Sequence, residues 1–158
     1  MNMNRLYNLL MVEDNPADVR LMIEAIREAE LTDMVVARYA YDGDEAMNIL
    51  KTSQIIGESF DMILLDLNMP KVNGKELLAK IKSNDIFSDI KVFIMTNSDY
   101  KHDMLDCYKL KADAYIQKPS DFRRLIDFFV CVKRSIEMNN RLSVFQIERS
   151  YEEMLMAV

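Results

Sequence analysis

Residues 61–70 read DMILLDLNMP, and the apolar run inside this stretch decides the fold. Residues 62–65 (MILL) are continuously apolar, without alternating polar side chains, which is typical of a central parallel strand covered on both faces. The run ends at Asp66, and a loop through Pro70 and Gly74 leads into a segment of helical period. The stretch therefore predicts a buried strand followed by a crossover helix.

Four further apolar runs occur in the chain, each followed by a segment of helical period. After the first run, Asn15 and Pro16 supply a helix cap and a first-turn proline. Val19, Met22 and Ile26 then repeat on one helical face. Five strands alternate in this way with five helices, which predicts an α/β fold: a three-layer, doubly wound sheet of five parallel strands between helices. The predicted strands cover residues 6–12, 34–41, 62–65, 91–95 and 114–117, and the fourth helix lies around residues 100–111.

Length and charge narrow the class of protein. A chain of 158 residues is about one domain, and its 20 basic and 26 acidic residues give a net charge of −6, which opposes binding to a nucleic-acid backbone. No apolar run approaches the roughly 20 residues that cross a bilayer, and the first ten residues lack the layout of a signal peptide. We therefore predict a cytoplasmic protein that binds neither nucleic acid nor membrane. Cys107 and Cys131 are expected to be free thiols.

The alternating unit needs residues 1–138, so residues 139–158 are predicted to be a helical extension or tail. Its apolar residues, among them Leu142, Phe145 and Ile147, fit an amphipathic helix. The extension could lengthen the fifth helix, build a homodimer contact, dock on a partner or stay disordered, and the sequence leaves these alternatives open.

Polar residues stand where four of the predicted strands end. Ligands of open parallel sheets bind at this edge. Three carboxylates there would repel each other unless a cation compensates them, and oxygen ligands are what Mg²⁺ prefers. A lysine at the same edge would balance charge and hold an added anion such as a phosphoryl group, to which a hydroxyl can donate. These residues are Glu13, Asp14, Asp66, Thr96 and Lys118.

Four motifs in this order resemble the receiver domains of two-component response regulators. They are the pair Glu13 and Asp14, the run DMILLDLNMP, the segment FIMTNS at residues 93–98 and the segment AYIQKP at residues 114–119. The resemblance covers residues 6–136 and implies the flavodoxin-like receiver fold. The loop at residues 54–60, the Asn-Pro-Ala-Asp start of the first helix and the loop DLNMPKVNG are similar to those of small regulators paired with phytochrome-type or hybrid histidine kinases.

The resemblance implies a role for each residue of the predicted site. Asp66 would accept a phosphoryl group from a sensor histidine kinase or a phosphotransfer protein, its carboxylate oxygen attacking phosphorus. Asp14 and Asp66 would hold Mg²⁺ directly. Glu13 would contribute through water and Asn68 through its backbone carbonyl. Lys118 would pair with the phosphoryl oxygens.

Thr96 and Tyr115 match the switch pair of this family. The hydroxyl would move toward the phosphoryl group and the ring would turn inward, which reshapes the face made by the fourth helix, fifth strand and fifth helix. A homodimer would use this face and the extension. The family also implies a cis bond between Lys118 and Pro119. Because only residues 139–158 follow the fifth helix, we expect a stand-alone receiver, not an enzyme, which catalyses only its own phosphorylation and dephosphorylation and signals by protein contact.

Three other functions fit the same residues less well. An aspartyl-phosphate phosphohydrolase needs a second aspartate two residues after the nucleophile, where this chain has Asn68. A flavodoxin-like cofactor binder needs a phosphate-cradling loop after the first strand, where Glu13 and Asp14 would repel phosphate. An inactive receiver used as a scaffold is opposed by the complete set of site residues. In structural terms alone, the acidic pair could serve a helix N-terminus and Tyr115 could be a core residue.

Overall fold

Five parallel strands form one sheet in the computed structural model, which describes residues 5–70, 73–98, 101–139 and 142–157. The strands lie side by side in the order β2-β1-β3-β4-β5, and each neighbouring pair is parallel. This confirms the predicted α/β fold. The elements are β1 (Tyr7–Val12), α1 (Pro16–Glu28), β2 (Val35–Ala40), α2 (Gly43–Ile55), β3 (Met62–Leu65), α3 (Gly74–Lys82), β4 (Lys91–Thr96), α4 (Lys101–Lys109), β5 (Ala114–Gln117), α5 (Phe122–Asn139) and α6 (Val144–Met156).

The central strand β3 is buried along its whole length. Met62 and Leu64 face a core built with α1, α5 and α6, whereas Ile63 and Leu65 face a second core built with α2, α3 and α4. Both faces of the strand are therefore apolar, which explains why residues 62–65 show no alternation.

The parallel register brings the ends of the strands to one edge of the sheet. Val12 of β1 pairs with Leu65 of β3, and Thr96 at the end of β4 pairs with Gln117 of β5. The residues directly after β1, β3 and β5 therefore lie near each other, and this edge positions the candidate site.

Helix caps fix the loops at this edge. The Asn15 side chain accepts a hydrogen bond from the Ala17 N–H, with Pro16 in the first turn of α1 as predicted. The Asn73 side chain accepts a hydrogen bond from the Lys75 N–H at the start of α3. Both caps satisfy N–H groups that the first helical turn leaves free.

Predicted and observed bounds differ mainly at strand ends, where ladder pairing stops. The bounds of β3 and β5 agree with the prediction, whereas β2 is one residue shorter at each end and β4 includes Thr96. The predicted fourth helix includes Tyr100, which lies outside the described residues, and α4 is described from Lys101 to Lys109. Such differences of one residue are usual at the ends of elements.

The helix α6 packs on α5. Ile147 and Tyr151 are buried, and the Tyr151 ring meets the Phe128 ring edge to face at a centroid distance of 5.6 Å. The Cys131 sulfur lies 3.3 Å from the Met154 sulfur. The apolar face of α6 thus extends the core between α5 and the sheet.

Two further expectations concern cysteines and membranes. Cys107 and Cys131 are both buried and free, which confirms the expected thiols. Within the described ranges, no helix has the length and apolar character that a bilayer crossing requires.

Candidate functional site

Three carboxylates converge at the carboxyl edge of the sheet. Glu13 and Asp14 follow β1 and Asp66 follows β3, and one carboxylate oxygen from each lies within 4.8 Å of the others. Glu13 and Asp66 are buried, whereas Asp14 is half-buried. Carboxylates this close repel each other unless a cation lies among them, and hard oxygen donors suit Mg²⁺. The chemistry of this donor set therefore fits a divalent cation.

Lys118 follows β5 and supplies the positive charge of the site. Its Nζ lies 2.6 Å from Glu13 Oε2, 2.6 Å from Asp18 Oδ2 and 3.4 Å from Asp66 Oδ2. An ammonium group has three donors. Two of them are engaged in short ion pairs, and the longest of the three contacts is the one to Asp66.

The peptide bond between Lys118 and Pro119 is trans, because none of the described peptide bonds is cis. This corrects the cis bond that the resemblance implies. The Lys118 N–H donates to the Thr96 carbonyl oxygen at 2.7 Å, and this bond and the ion pairs together direct the side chain into the site.

Burial and charge pairing act in opposite directions on Glu13 and Lys118. Burial raises the pKa of the Glu13 carboxyl to about 7, although the hydrogen bond from Lys118 lowers it. Burial favours a neutral Lys118, but the hydrogen bonds to Asp18 and Glu13 outweigh burial, so the pKa of Lys118 is raised. Lys118 therefore stays positively charged near neutral pH, whereas Glu13 titrates there when no metal ion is bound.

The loop between β3 and α3 presents Asn68 to the site. Its backbone N–H donates to Asp66 Oδ1 at 3.0 Å, and its side-chain Nδ2 donates to Thr96 Oγ1 at 3.3 Å. The Gly74 N–H donates to the Leu67 carbonyl oxygen at 3.3 Å, which ties α3 to the same loop. One oxygen of Asp66 is thus held by the loop, and the other faces Lys118.

Thr96 and Tyr115 are joined through Ser98. Thr96 is buried, and its Oγ1 accepts a hydrogen bond from the Ser98 N–H at 3.3 Å. The hydroxyl of the half-buried Tyr115 donates to the Ser98 carbonyl oxygen at 3.0 Å. The Ser98 hydroxyl donates to Asp103 of α4 at 2.5 Å, and Asp103 pairs with Lys75 of α3 at 2.7 Å. A chain of hydrogen bonds therefore links the site to α3 and α4.

The edge of the sheet also holds residues that sequence reasoning missed. Asp18 pairs with Lys118, although it was not predicted to be a site residue. Its position gave a signal, because Asp18 is the acidic residue in the first turn of α1, close in the chain to Glu13 and Asp14. Ser98 and its partner on α4 carried no comparable signal. The predicted residues that the structure brings together are Glu13, Asp14, Asp66, Asn68, Thr96 and Lys118, with Tyr115 reached through Ser98.

Comparisons with known proteins agree with this geometry. The family model described as the response regulator receiver domain matches residues 9–129. Response regulator Rcp1 of Synechocystis sp. is 35% identical over 128 residues, which cover 79% of this chain and 83% of Rcp1. The phosphorylated cyanobacterial phytochrome response regulator RcpA aligns with a TM-score of 0.75 at 32% identity, covering 86% of this chain and 96% of RcpA. The Mn²⁺-bound form of Rcp1 aligns with a TM-score of 0.70 at 30% identity, covering 84% of this chain and 95% of the Rcp1 chain.

The family match and the site coincide in the chain. The matched residues run from β1 into α5, and they include Glu13, Asp66 and Lys118 at the ends of three strands. The acidic cluster and the lysine thus lie inside the matched region. The chain therefore belongs to the response regulator receiver domain family of two-component signalling.

Proposed function

We propose that this receiver takes a phosphoryl group on Asp66 from a sensor histidine kinase or a phosphotransfer protein and passes the signal on by protein contact. The observation that carries the proposal is the position of Asp66. It is buried at the end of the central strand, inside the carboxylate cluster and 3.4 Å from Lys118 Nζ. A cation site and an ammonium are the two groups that compensate the charge of a phosphoryl group.

Mg²⁺ is the proposed cofactor of this site. Glu13, Asp14 and Asp66 would hold it, with Asn68 supplying its backbone carbonyl. Bound there, the ion would neutralise charge on the entering phosphoryl group. Rcp1, which is similar to this chain, has been solved with Mn²⁺, and this supports a divalent cation here.

The transfer itself exchanges one bond to phosphorus for another. A carboxylate oxygen of Asp66 attacks phosphorus while the bond between phosphorus and the donor's imidazole nitrogen breaks, and the imidazole leaves with the bonding electron pair. Lys118 keeps its proton and donates a hydrogen bond to a phosphoryl oxygen.

Thr96 and Tyr115 would transmit the effect of Asp66 phosphorylation to other parts of the fold. In the structure, Thr96 Oγ1 accepts hydrogen bonds from the Ser98 N–H and from Asn68 Nδ2. These two bonds would break when the Thr96 hydroxyl turns to donate to the phosphoryl group. The Tyr115 hydroxyl donates to the Ser98 carbonyl oxygen, so a shift of Ser98 after the loss of its bond to Thr96 would release the ring to turn inward. The bond from Ser98 to Asp103 would transmit the movement to α4.

The output face is proposed to be the surface of α4, β5 and α5, enlarged by α6. Leu105 and Tyr108 of α4 are exposed apolar side chains on this part of the molecule, and α6 packs on α5. We take residues 1–138 as the receiver unit and residues 139–158 as its helical extension, and a homodimer would use both. A phosphohydrolase remains the weaker candidate, because Asn68 stands where a second aspartate is needed.

Metal-dependent self-phosphorylation tests the proposed function. Acetyl phosphate with Mg²⁺ should add a single phosphoryl group, measured by the mass of the intact chain and removed by hydroxylamine, which cleaves acyl phosphates. The same reaction with EDTA should leave the mass unchanged. A chain that stays unmodified at saturating Mg²⁺ would contradict the proposal.

Mg²⁺ should bind more tightly as the pH rises through about 7, and binding should release protons in that range. Burial gives the metal-free Glu13 carboxyl a pKa of about 7, so below that pH the side chain is neutral and a poorer ligand, whereas the cation favours its ionised form. Calorimetric titrations in two buffers of different ionisation enthalpy measure the released protons. Glu13→Gln should remove the pH dependence, and an affinity of the unaltered protein that is constant across neutral pH would refute this role of Glu13.

A further inference from the structure

We infer that Asp18 restrains Lys118 in the resting receiver and opposes the phosphorylated state, an inference that rests on the proposed function. Asp18 lies in the first turn of α1 and outside the cluster of Glu13, Asp14 and Asp66. Its Oδ2 is 2.6 Å from Lys118 Nζ, whereas Asp66 Oδ2 is 3.4 Å away. The lysine is therefore drawn more closely to Asp18 than to the residue it would serve after phosphorylation.

Partial burial of both groups strengthens the ion pair between Lys118 and Asp18. The Lys118 side chain is 13% exposed and that of Asp18 is 29% exposed, so solvent screens the pair only in part. A phosphoryl oxygen on Asp66 has to attract the same ammonium against two short ion pairs. One of these, to Glu13, belongs to the cation site, and the other belongs to Asp18.

The charge balance of the site sets the direction of the effect. Three carboxylates, those of Glu13, Asp18 and Asp66, lie within 3.4 Å of the Lys118 ammonium, and Asp14 adds a fourth negative charge beside Glu13 and Asp66. Removing the Asp18 charge takes away one of the two short ion pairs of Lys118, so the ammonium pairs more readily with an incoming anion. The same removal makes the site less negative by one charge, so it should weaken cation binding. The two ligands should therefore respond with opposite signs.

The variant Asp18→Asn tests this, because the amide keeps the size of the side chain and loses its charge. Beryllofluoride, a phosphoryl analogue, should bind the variant about threefold to tenfold more tightly at saturating Mg²⁺. Mg²⁺ alone should bind it about threefold more weakly. Both affinities are measured by calorimetry on the full chain, and Asp18→Glu should restore values near those of the unaltered protein.

Glu24→Gln is the matched control. Glu24 lies on the same helix, is exposed and pairs with Arg27, so its substitution changes the net charge equally without touching Lys118. This control should leave both affinities unchanged. A purely structural role of Asp18 would weaken the binding of both ligands together, and unchanged or weaker beryllofluoride binding by Asp18→Asn would overturn the inference. If the unaltered chain binds no beryllofluoride at all, the proposed function fails instead.

Discussion

Replacing Asp66 with asparagine should abolish phosphorylation. The amide matches the shape of the aspartate but lacks a nucleophilic carboxylate oxygen, so an acyl phosphate cannot form. The substitution also removes one of the three carboxylates that would hold the cation. Incorporation from acetyl phosphate with Mg²⁺, measured by the mass of the intact chain, should fall to background.

The loss should be chemical and not a consequence of unfolding. Asp66→Asn relieves repulsion among buried carboxylates, so the urea midpoint of the metal-free protein should not fall. Asp33→Asn is the control, since Asp33 is exposed and precedes β2 at the opposite edge of the sheet. It should be phosphorylated like the unaltered chain. A labelled Asp66→Asn protein, or equal loss of labelling in both variants, would show that Asp66 is not the acceptor.

Replacing Gly74 with alanine should destabilise the protein and disturb the site. A Cβ at residue 74 would lie 2.6 Å from the Asp66 carbonyl oxygen and 2.7 Å from Leu67 Cα. Both are backbone atoms that cannot rotate away, so α3 must separate from the loop after β3, at a cost of about 3 kcal/mol in the free energy of unfolding. Urea unfolding measures this cost, and phosphorylation should slow because the Asp66 backbone shifts.

Gly57→Ala separates crowding from backbone strain. Gly57 has a φ of +77°, but an added Cβ meets nothing within 4 Å. Only the left-handed backbone then opposes the methyl group, which costs about 1 kcal/mol. Equal stability of the two variants would show that the loop after β3 adapts freely, and it would contradict the close approach of α3 to Asp66.

The fold was predictable because its main signals are local. The unbroken run at residues 62–65 indicated a strand covered on both faces, and β3 is buried on both. The rule that parallel strands end at one edge then placed Glu13, Asp66 and Lys118 together before any distance was known. Their convergence depends on topology, which alternation along the chain reveals.

The features that the sequence did not predict depend on contacts between residues that are far apart in the chain. Asp18 is separated from Lys118 by 100 positions, and their contact depends on the packing of α1 beside α5, which periodicity does not specify. The trans bond at Pro119 differs from the cis bond that the family resemblance implies. The packing of α6 on Phe128 likewise required the position of α5.

Chemical location of the phosphoryl group tests the acceptor role of Asp66 most directly. Sodium borohydride reduces an acyl phosphate on aspartate to homoserine, which peptide sequencing by mass spectrometry assigns to one position. After reaction with acetyl phosphate and Mg²⁺, we predict homoserine at residue 66 and at no other aspartate. A reduced residue elsewhere, or a phosphorylated chain with no reducible residue, would contradict the role of Asp66.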